Sequence, residues 1–312
     1  SADTALYEWN GAIVEPDNWL GDDAIHKANP NLGVSVEIDD LRAEREEARN
    51  SPRKQAVYKT KKLNLWVQSR EAYFNTQRWI ECGVPAPGLS IDDFVGQRCT
   101  VAADLAATTD IAAIVSLFEL RLCKGDHPAA ARLSAAGYKF AMFGRFYLPE
   151  ATVALPQHEH YRGWASEGRL IVTEGNMNDL ARIEADLRAM TGRFQVTGMG
   201  FDPYQANQMM QALQADGAKA IEVRATVQSF SGPMKSLDGL ILGRQIAHDG
   251  CPVMTWMMSN VVAKVDAKDN VYPRKERPEN KIDGPVALIM ALALAQTGPP
   301  QSVYEERGIR VL

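Results

Sequence analysis

Four aspartates stand where their type and spacing could do chemistry. Asp104 closes the apolar run Arg98 to Asp104. A two-residue strand period puts Thr100, Ala102 and Asp104 on one face, so the carboxylate points the way buried residues point. A buried, unpaired carboxylate is costly and calls for a partner. Asp110 opens the next β-rich run, and Asp202 ends another, the largely apolar stretch from Val196 to Phe201. Asp283 stands at the start of a helix, where the helix N-terminus favours negative charge. If strand 99–105 lies beside strand 194–202 and the last helix packs across them, Asp104, Asp202 and Asp283 converge at the carboxyl ends of neighbouring strands, where α/β sites collect. Converging carboxylates suit the hard cations Mg2+ or Mn2+. Two such ions ~3.5–4 Å apart can activate a water and stabilise a leaving oxygen in phosphodiester cleavage. Each acid also has a plainer reading. Asp104 could cap its turn through a Thr hydroxyl or a backbone N–H, and Asp283 could be an ordinary helix cap.

The elements that must position these acids are legible in outline. Residues 1–75 read as a small, polar, helical subdomain containing Trp9, Trp19 and a turn from Lys27 to Gly33. Helices are expected over 35–50 and 53–65, the second with Lys54, Lys59, Lys61 and Lys62. Residues 70–97 read as a connector. Strands are then expected at 99–105, 110–121 and 138–148 as an antiparallel meander, with an Ala-rich loop or hairpin excursion before the third. A helix around 155–167, a short strand at 170–173, a helix at 179–191, a strand at 194–202 and a helix at 204–216 follow. Then come a strand at 220–224, a helix at 228–247 broken at Gly232-Pro233, a turn at 248–252 and a helix at 253–263. Lys264 to Asn280 reads as a basic loop carrying Arg274 and Lys275. The helix over 286–296 is apolar almost all round and should be buried. Residues 301–312 read as a tail.

The 312 residues suffice for one large domain or two ordinary ones. Hydrophobic residues make up 46 % and charged residues 23 %, an ordinary globular composition. No apolar run reaches the length of a membrane span. The start lacks Met and a signal-peptide pattern, and reads as a cut inside a longer protein. Four cysteines, Cys82, Cys99, Cys123 and Cys251, lack CxxC spacing, which argues against zinc or disulfides and fits a reducing compartment. A net charge of −5 does not exclude a nucleic-acid binder, because local basic patches outweigh the total.

Taken in order, Asp104-Leu-(x4)-Asp110, Phe201-Asp202-Pro-Tyr and Lys281-Ile-Asp283-Gly-(x2)-Ala-Leu-Ile-Met-Ala resemble the nuclease domain of tailed-phage terminase large subunits, in the branch typified by phage HK97. Ala28-Asn-Pro-Asn-Leu-Gly33, Leu63-Asn-Leu-Trp66 and His248-Asp-Gly-Cys-Pro252 with Trp256 and Asn260 add to the resemblance, which runs from about residue 27 to about 296. It implies an α/β, RNase H-like mixed sheet flanked by helices over residues 76–300, preceded by the helical linker subdomain or end of an ATPase module at 1–75. It further implies a metal-dependent endonuclease cutting concatemeric double-stranded viral DNA during packaging. Asp104, Asp202 and Asp283 would be catalytic metal ligands, with Mg2+ or Mn2+ as one or two ions, and Asp110 a further acid at the site. Lys281, Lys275 and Arg274 would contact phosphates, although Lys281 reads equally as a solvent-facing residue near a helix start. The implied partners are double-stranded DNA, the small terminase subunit, the portal protein and the chain's own ATPase domain, in the host cytoplasm, with no membrane. No G-x-x-x-x-G-K-[ST] loop occurs, so no ATP hydrolysis is expected of this stretch. Ala106 and Ala107 replace the family's small polar residue after the first acid, leaving the local hydrogen bonding open.

Two other functions compete. One is another RNase H-like nuclease of the resolvase or transposase type, disfavoured by the Lys-Ile-Asp-Gly helix start. The other is a non-catalytic DNA-gripping or docking module, which should be basic where this chain clusters acids. His158 and His160, two apart in an expected helix, fall on different faces and make an improbable shared ligand pair.

Overall fold

A computed structural model describes residues 19–49, 52–63, 65, 72–84, 88–124 and 127–297. Trp9, Trp66 and the expected tail at 301–312 lie outside the described residues. The chain divides into two compact units, Ser1–Thr76 and Gln77–Leu312. Among the described residues no helix is long and apolar enough to cross a membrane.

The first unit holds helices α1 (Asp22–Ala28), α2 (Ile38–Arg49) and α3 (Pro52–Lys62). Its core is small: Trp19, Ala24, Ala28, Ala48, Tyr58 and Leu63. Asn29 ties the helices together by donating to the carbonyls of Ile25 (2.9 Å) and Lys62 (3.0 Å). Asp22 accepts from Arg42 and Arg45, which hydrogen-bond its carboxylate and hold it far below the usual range.

The second unit follows α4 (Thr76–Glu81) and runs β1 (Arg98–Asp104), β2 (Ala112–Glu119), α5 (Pro128–Ala135), β3 (Phe140–Pro149), α6 (Glu150–Val153), α7 (Glu159–Ser166), β4 (Ile171–Thr173), α8 (Leu180–Arg193), β5 (Gln195–Phe201), α9 (Pro203–Ala215), β6 (Ala220–Glu222), α10 (Val227–Leu242), β7 (Ile246–His248), α11 (Pro252–Asn260), β8 (Val261–Val265), β9 (Val271–Lys275) and α12 (Asp283–Thr297). Seven strands form one mixed sheet in the order β4-β3-β2-β1-β5-β6, with β7 beside β3. β1, β2 and β3 make an antiparallel meander, and β5 joins β1 in parallel. This is the mixed α/β sheet flanked by helices expected for the RNase H-like class.

The strand period separates the two faces. Val101, Ala103, Met199 and Phe201 pack with Ile183 and Leu187 of α8 and Met209 and Leu213 of α9. The other face is nearly flat: Ala102, Gly198 and Gly200 lie under Leu294 of α12. That helix is apolar all round and, apart from the half-buried Val286, buried from Gly284 to Leu292, so it must be covered by the sheet on one side and by α10 and α11 on the other. Its start is tightly fitted. A Cβ on Gly284 would sit 2.7 Å from Met254 Sδ, 2.7 Å from Met257 Cε and 3.0 Å from Phe146 Cε1.

Several sequence expectations are corrected. The Ala-rich stretch is a helix, α5, because Pro128 suits the first turn and the His127 ring accepts from Ala130 N (3.2 Å). Gly232-Pro233 does not break α10. The helix continues through them, held by burial of Phe230, Met234, Leu237 and Ile241, and ends before β7 instead of running to residue 247. The basic loop at 264–280 contains most of a two-stranded hairpin, β8–β9, turned by Asp266, which accepts from Lys268 N and Asn270 N.

His248 pins β7 to α4. Its ring stacks on Trp79 with centroids 4.0 Å apart, Nε2 faces the Trp79 carbonyl at 2.8 Å, and Nδ1 accepts from Gly250 N at 3.1 Å. Burial lowers its pKa, so the folded chain holds it neutral. The unfolded chain takes up a proton near the ordinary value of about 6.5 while the native chain does not. The contribution of His248 is therefore complete above about pH 6.5 and declines as pH falls below it. The destabilisation caused by His248→Gln should be largest at pH 7.5 and smaller at pH 5.5, as checked by denaturant midpoints of both chains at both pH values. A second expectation concerns Gly284: Gly284→Ala should cost about 1–3 kcal/mol by overpacking, seen as a lower thermal midpoint.

Candidate active site at the carboxyl edge of the sheet

The carboxyl edge of β1 and β5 is built by register. Ala103 pairs with Phe201 in the parallel ladder, so the next residues, Asp104 and Asp202, leave the sheet side by side. Asp104 keeps to the face of Thr100 and Ala102, the face covered by α12. Asp283 is the first residue of α12. Asp110 lies in the connection from β1 to β2 (residues 105–111), two positions before β2.

Their surroundings differ sharply. Asp202 caps α9: Oδ1 accepts from Tyr204 N (2.9 Å) and Oδ2 from Ala225 N (3.2 Å). Asp283 starts its helix, but its Oδ2 is buried without a hydrogen-bond partner. Asp110 is ion-paired to Lys275 (3.1 Å) and to Lys281. Asp104 accepts no side-chain hydrogen bond or ion pair among the described residues, so the cap expected of it, through a Thr hydroxyl or a backbone N–H, is not formed. The residue is half-buried.

Electrostatics link the four acids. Burial, then the charges of Asp283, Asp202 and Asp110, push the Asp104 carboxyl well above the carboxylate range. Burial, then Asp110, raises Asp283 to about 7, with Lys275 and Lys281 opposing. Burial alone would raise Asp110 as well, but the hydrogen bonds and charges of Lys281 and Lys275 outweigh it and leave it lowered. Two tyrosines mark the edges of this field. Burial raises both, helped at Tyr161 by Asp283 and Asp110 and at Tyr272 by Asp202 and Asp104.

The basic candidates land differently. Lys281 is only 7 % exposed, so the solvent-facing reading is wrong; it donates to Asp110 and to the Pro278 carbonyl (3.0 Å). Lys275 reaches the same carboxylate from β9. Arg274, beside it, points outward with an exposed side chain. Asn178 was not picked out from the sequence. Its buried amide donates to the carbonyls of Ala106 (2.8 Å) and Asp110 (3.2 Å), and its N–H donates to the Ala107 carbonyl (2.8 Å). The turn between the first two acids thus takes its hydrogen bonds from a distant residue. The only local signal was an Asn directly before the helix cap Asp179.

Oxygen-only donors of this kind match a hard cation. Neither the Asp104 carboxyl nor the orphaned Asp283 oxygen has a direct ion-pair or hydrogen-bond partner among the described residues. Among the described residues, no group of three or more His, Cys, Asp or Glu side chains is arranged to hold a metal ion with the side chains as they stand.

Comparison with known proteins gives the family. Residues 5–125 and 141–298 match the family described as terminase large subunit, endonuclease domain. The chain is 33 % identical over 313 residues to Protein YmfN of Escherichia coli K12, covering 96 % of this chain and 66 % of that one. It is 25 % identical over 288 residues to the terminase large subunit of Enterobacteria phage HK97, covering 91 % and 52 %. The crystal structure of the HK97 bacteriophage large terminase superimposes with a TM-score of 0.58 at 24 % identity, over 90 % of this chain and 55 % of that one. The chain thus spans about half to two thirds of the length of the curated relatives it matches. With its mixed sheet, its acid-lined carboxyl edge and a family match over most of its length, the chain belongs to the terminase large subunit endonuclease-domain family.

Proposed function

We propose that this chain is a divalent-metal-dependent endonuclease that hydrolyses the backbone of double-stranded phage DNA during genome packaging. The observation that carries the reading is the Asp104 carboxyl: half-buried, without a hydrogen-bond or ion-pair partner among the described residues, and at the strand end beside Asp202, with the charges of Asp283 and Asp202 acting on it. A buried carboxylate with acidic neighbours is unfavourable on its own, and a cation relieves it.

Asp104, Asp202 and Asp283 would hold Mg2+ or Mn2+, as one ion or two, and Asp110 would serve beside them. When bound, such an ion would supply a more acidic water and offset charge on the phosphate. Asp202 presents its carboxylate from a helix cap, so its orientation is set by Tyr204 N and Ala225 N. Asp110 holds Lys275 and Lys281 at the edge of the acids, where their ammonium groups offset the negative field that a phosphate would otherwise meet. Arg274, exposed on the hairpin, suits a backbone phosphate of the duplex. Contacts of this kind carry no base sequence, so the choice of cutting position would come from other components, with the small terminase subunit, the portal protein and an ATPase domain as the expected partners in the host cytoplasm.

Nicking of supercoiled plasmid tests this. We expect cleavage with Mn2+ or Mg2+, none with EDTA, and a loss of about a hundredfold or more in Asp104→Ala. DNA binding without metal-dependent cutting in the native chain would instead mark a docking module. A second measurement needs no activity. Relief of like-charge crowding should raise the thermal midpoint of metal-free Asp104→Asn by about 2–4 °C, the shift that about 1 kcal/mol produces in a unit of this size. Mn2+ should raise the midpoint of the native chain and leave that of the variant nearly unchanged.

A further inference from the structure

A second feature borders the acids and plays no part in holding a metal. α7 and α11 bring His160, Trp164 and Trp256 together above Tyr161. The Trp164 and Trp256 rings lie 5.5 Å apart at 55°, and His160 stands 5.1 Å from Trp164 at 83° and 5.4 Å from Trp256 at 50°. None of these pairs is a closed face-to-face stack. His160 is exposed, and Trp164 and Trp256 are half-buried. The rings line a cavity of about 400 Å³ whose polar wall includes Glu279 and Asn280.

The cavity is joined to the acid cluster in two ways. Tyr161, in its floor, feels the charges of Asp283 and Asp110. Asn280 is three residues before Asp283, at most about 11 Å along an extended chain, which is about three base steps of 3.4 Å. That segment is fixed, because Asn260 Nδ2 at the end of α11 donates to the Lys281 carbonyl (3.1 Å).

The lining decides the occupant. None of the described residues lining the cavity is Lys or Arg, and its wall carries the Glu279 carboxylate, with Arg277 3.9 Å from it outside the lining, so nothing in the lining itself favours a phosphate. Aromatic faces with a carboxylate and an amide match the face and edge of a nucleobase: rings stack on any base, Glu279 accepts from an exocyclic amine, and Asn280 both donates and accepts. We propose that this cavity takes one unpaired nucleobase from the DNA strand lying across the acid cluster. The proposal rests on the nuclease reading and adds to it a base-holding subsite that would engage a nucleotide displaced from its pair near the cut.

The test uses a short duplex carrying one bulged 2-aminopurine, against the same duplex with that base paired. Binding is measured with Mg2+ in the Asp104→Asn chain, which under the nuclease reading does not cut. The bulged duplex should bind about tenfold tighter, within the range of one base–aromatic stack, and 2-aminopurine emission should be quenched on binding. Both effects should disappear in His160→Ala and in Trp256→Leu. His160 is exposed, so its variant carries the test if Trp256→Leu does not fold. Equal affinity for the two duplexes, unquenched emission, or quenching that survives His160→Ala would overturn the proposal. Binding of tetramethylammonium that depends on Trp256, without a base effect, would overturn it in favour of a cationic side chain from a protein partner. Plasmid nicking by the native chain separates the two readings. Nicking without a bulge effect removes only the base subsite, a bulge effect without nicking removes the nuclease, and the absence of both removes each.

Discussion

Enclosing like charges is the constraint on which the rest of this structure turns. β1 and β5 run parallel and in register, so their terminal acids emerge as neighbours. α12 is apolar on every side and can only be buried, and its burial brings Asp283 onto the same edge. No single acid is unusual at its own position. Together they create an environment in which Asp104 and Asp283 resist ionisation, and the fold tolerates it because the surrounding core is large and closely packed.

The small residues explain how the helix comes so near. Ala102, Gly198 and Gly200 leave the sheet almost bare beneath Leu294, and Gly284 lets the first turn pass Met254, Met257 and Phe146. A helix seated that low brings its first carboxylate within reach of strand ends that side chains would otherwise hold away. The segment between α11 and α12 then serves two ends. Its hairpin delivers Lys275, its last residues deliver Lys281, and both ammonium groups settle on Asp110. Opposite them, Asn178 holds the turn that separates Asp104 from Asp110, so the spacing of those two acids is set by a residue two positions before α8.

Local patterns in the sequence were informative where local physics dominates. The meander and the alternation of Thr100, Ala102 and Asp104 follow from strand period, and the buried last helix follows from its unbroken apolar run. Local reasoning failed where distant contacts override propensity. Pro233 reads as a helix break, but burial of the residues around it carries α10 through. The stretch after Lys264 reads as a loop because its charges are conspicuous, yet Val271–Lys275 pairs with Val261–Val265 as a hairpin whose first strand begins inside the stretch expected as helix. The Ala-rich stretch reads as irregular because its capping group is a histidine ring. Lys281 reads as a surface lysine because nothing nearby in sequence reveals the carboxylate, 171 residues earlier, that holds it.

The sequence by itself determined which side chains were available: four aspartates at element ends, a basic stretch before the last helix, and an ordered set of motifs that resembles one family. Each of those acids had a plainer local reading as a cap or a turn residue, strongest for Asp283 and weaker for Asp202, and residue type cannot choose between them. Tertiary structure decided which acids share a field, which of them found partners, and which stayed unpaired. The physical reason is distance. A carboxylate's character is set by charges, donors and burial within a few ångströms, and here those neighbours come from strands, a hairpin and a helix far apart along the chain.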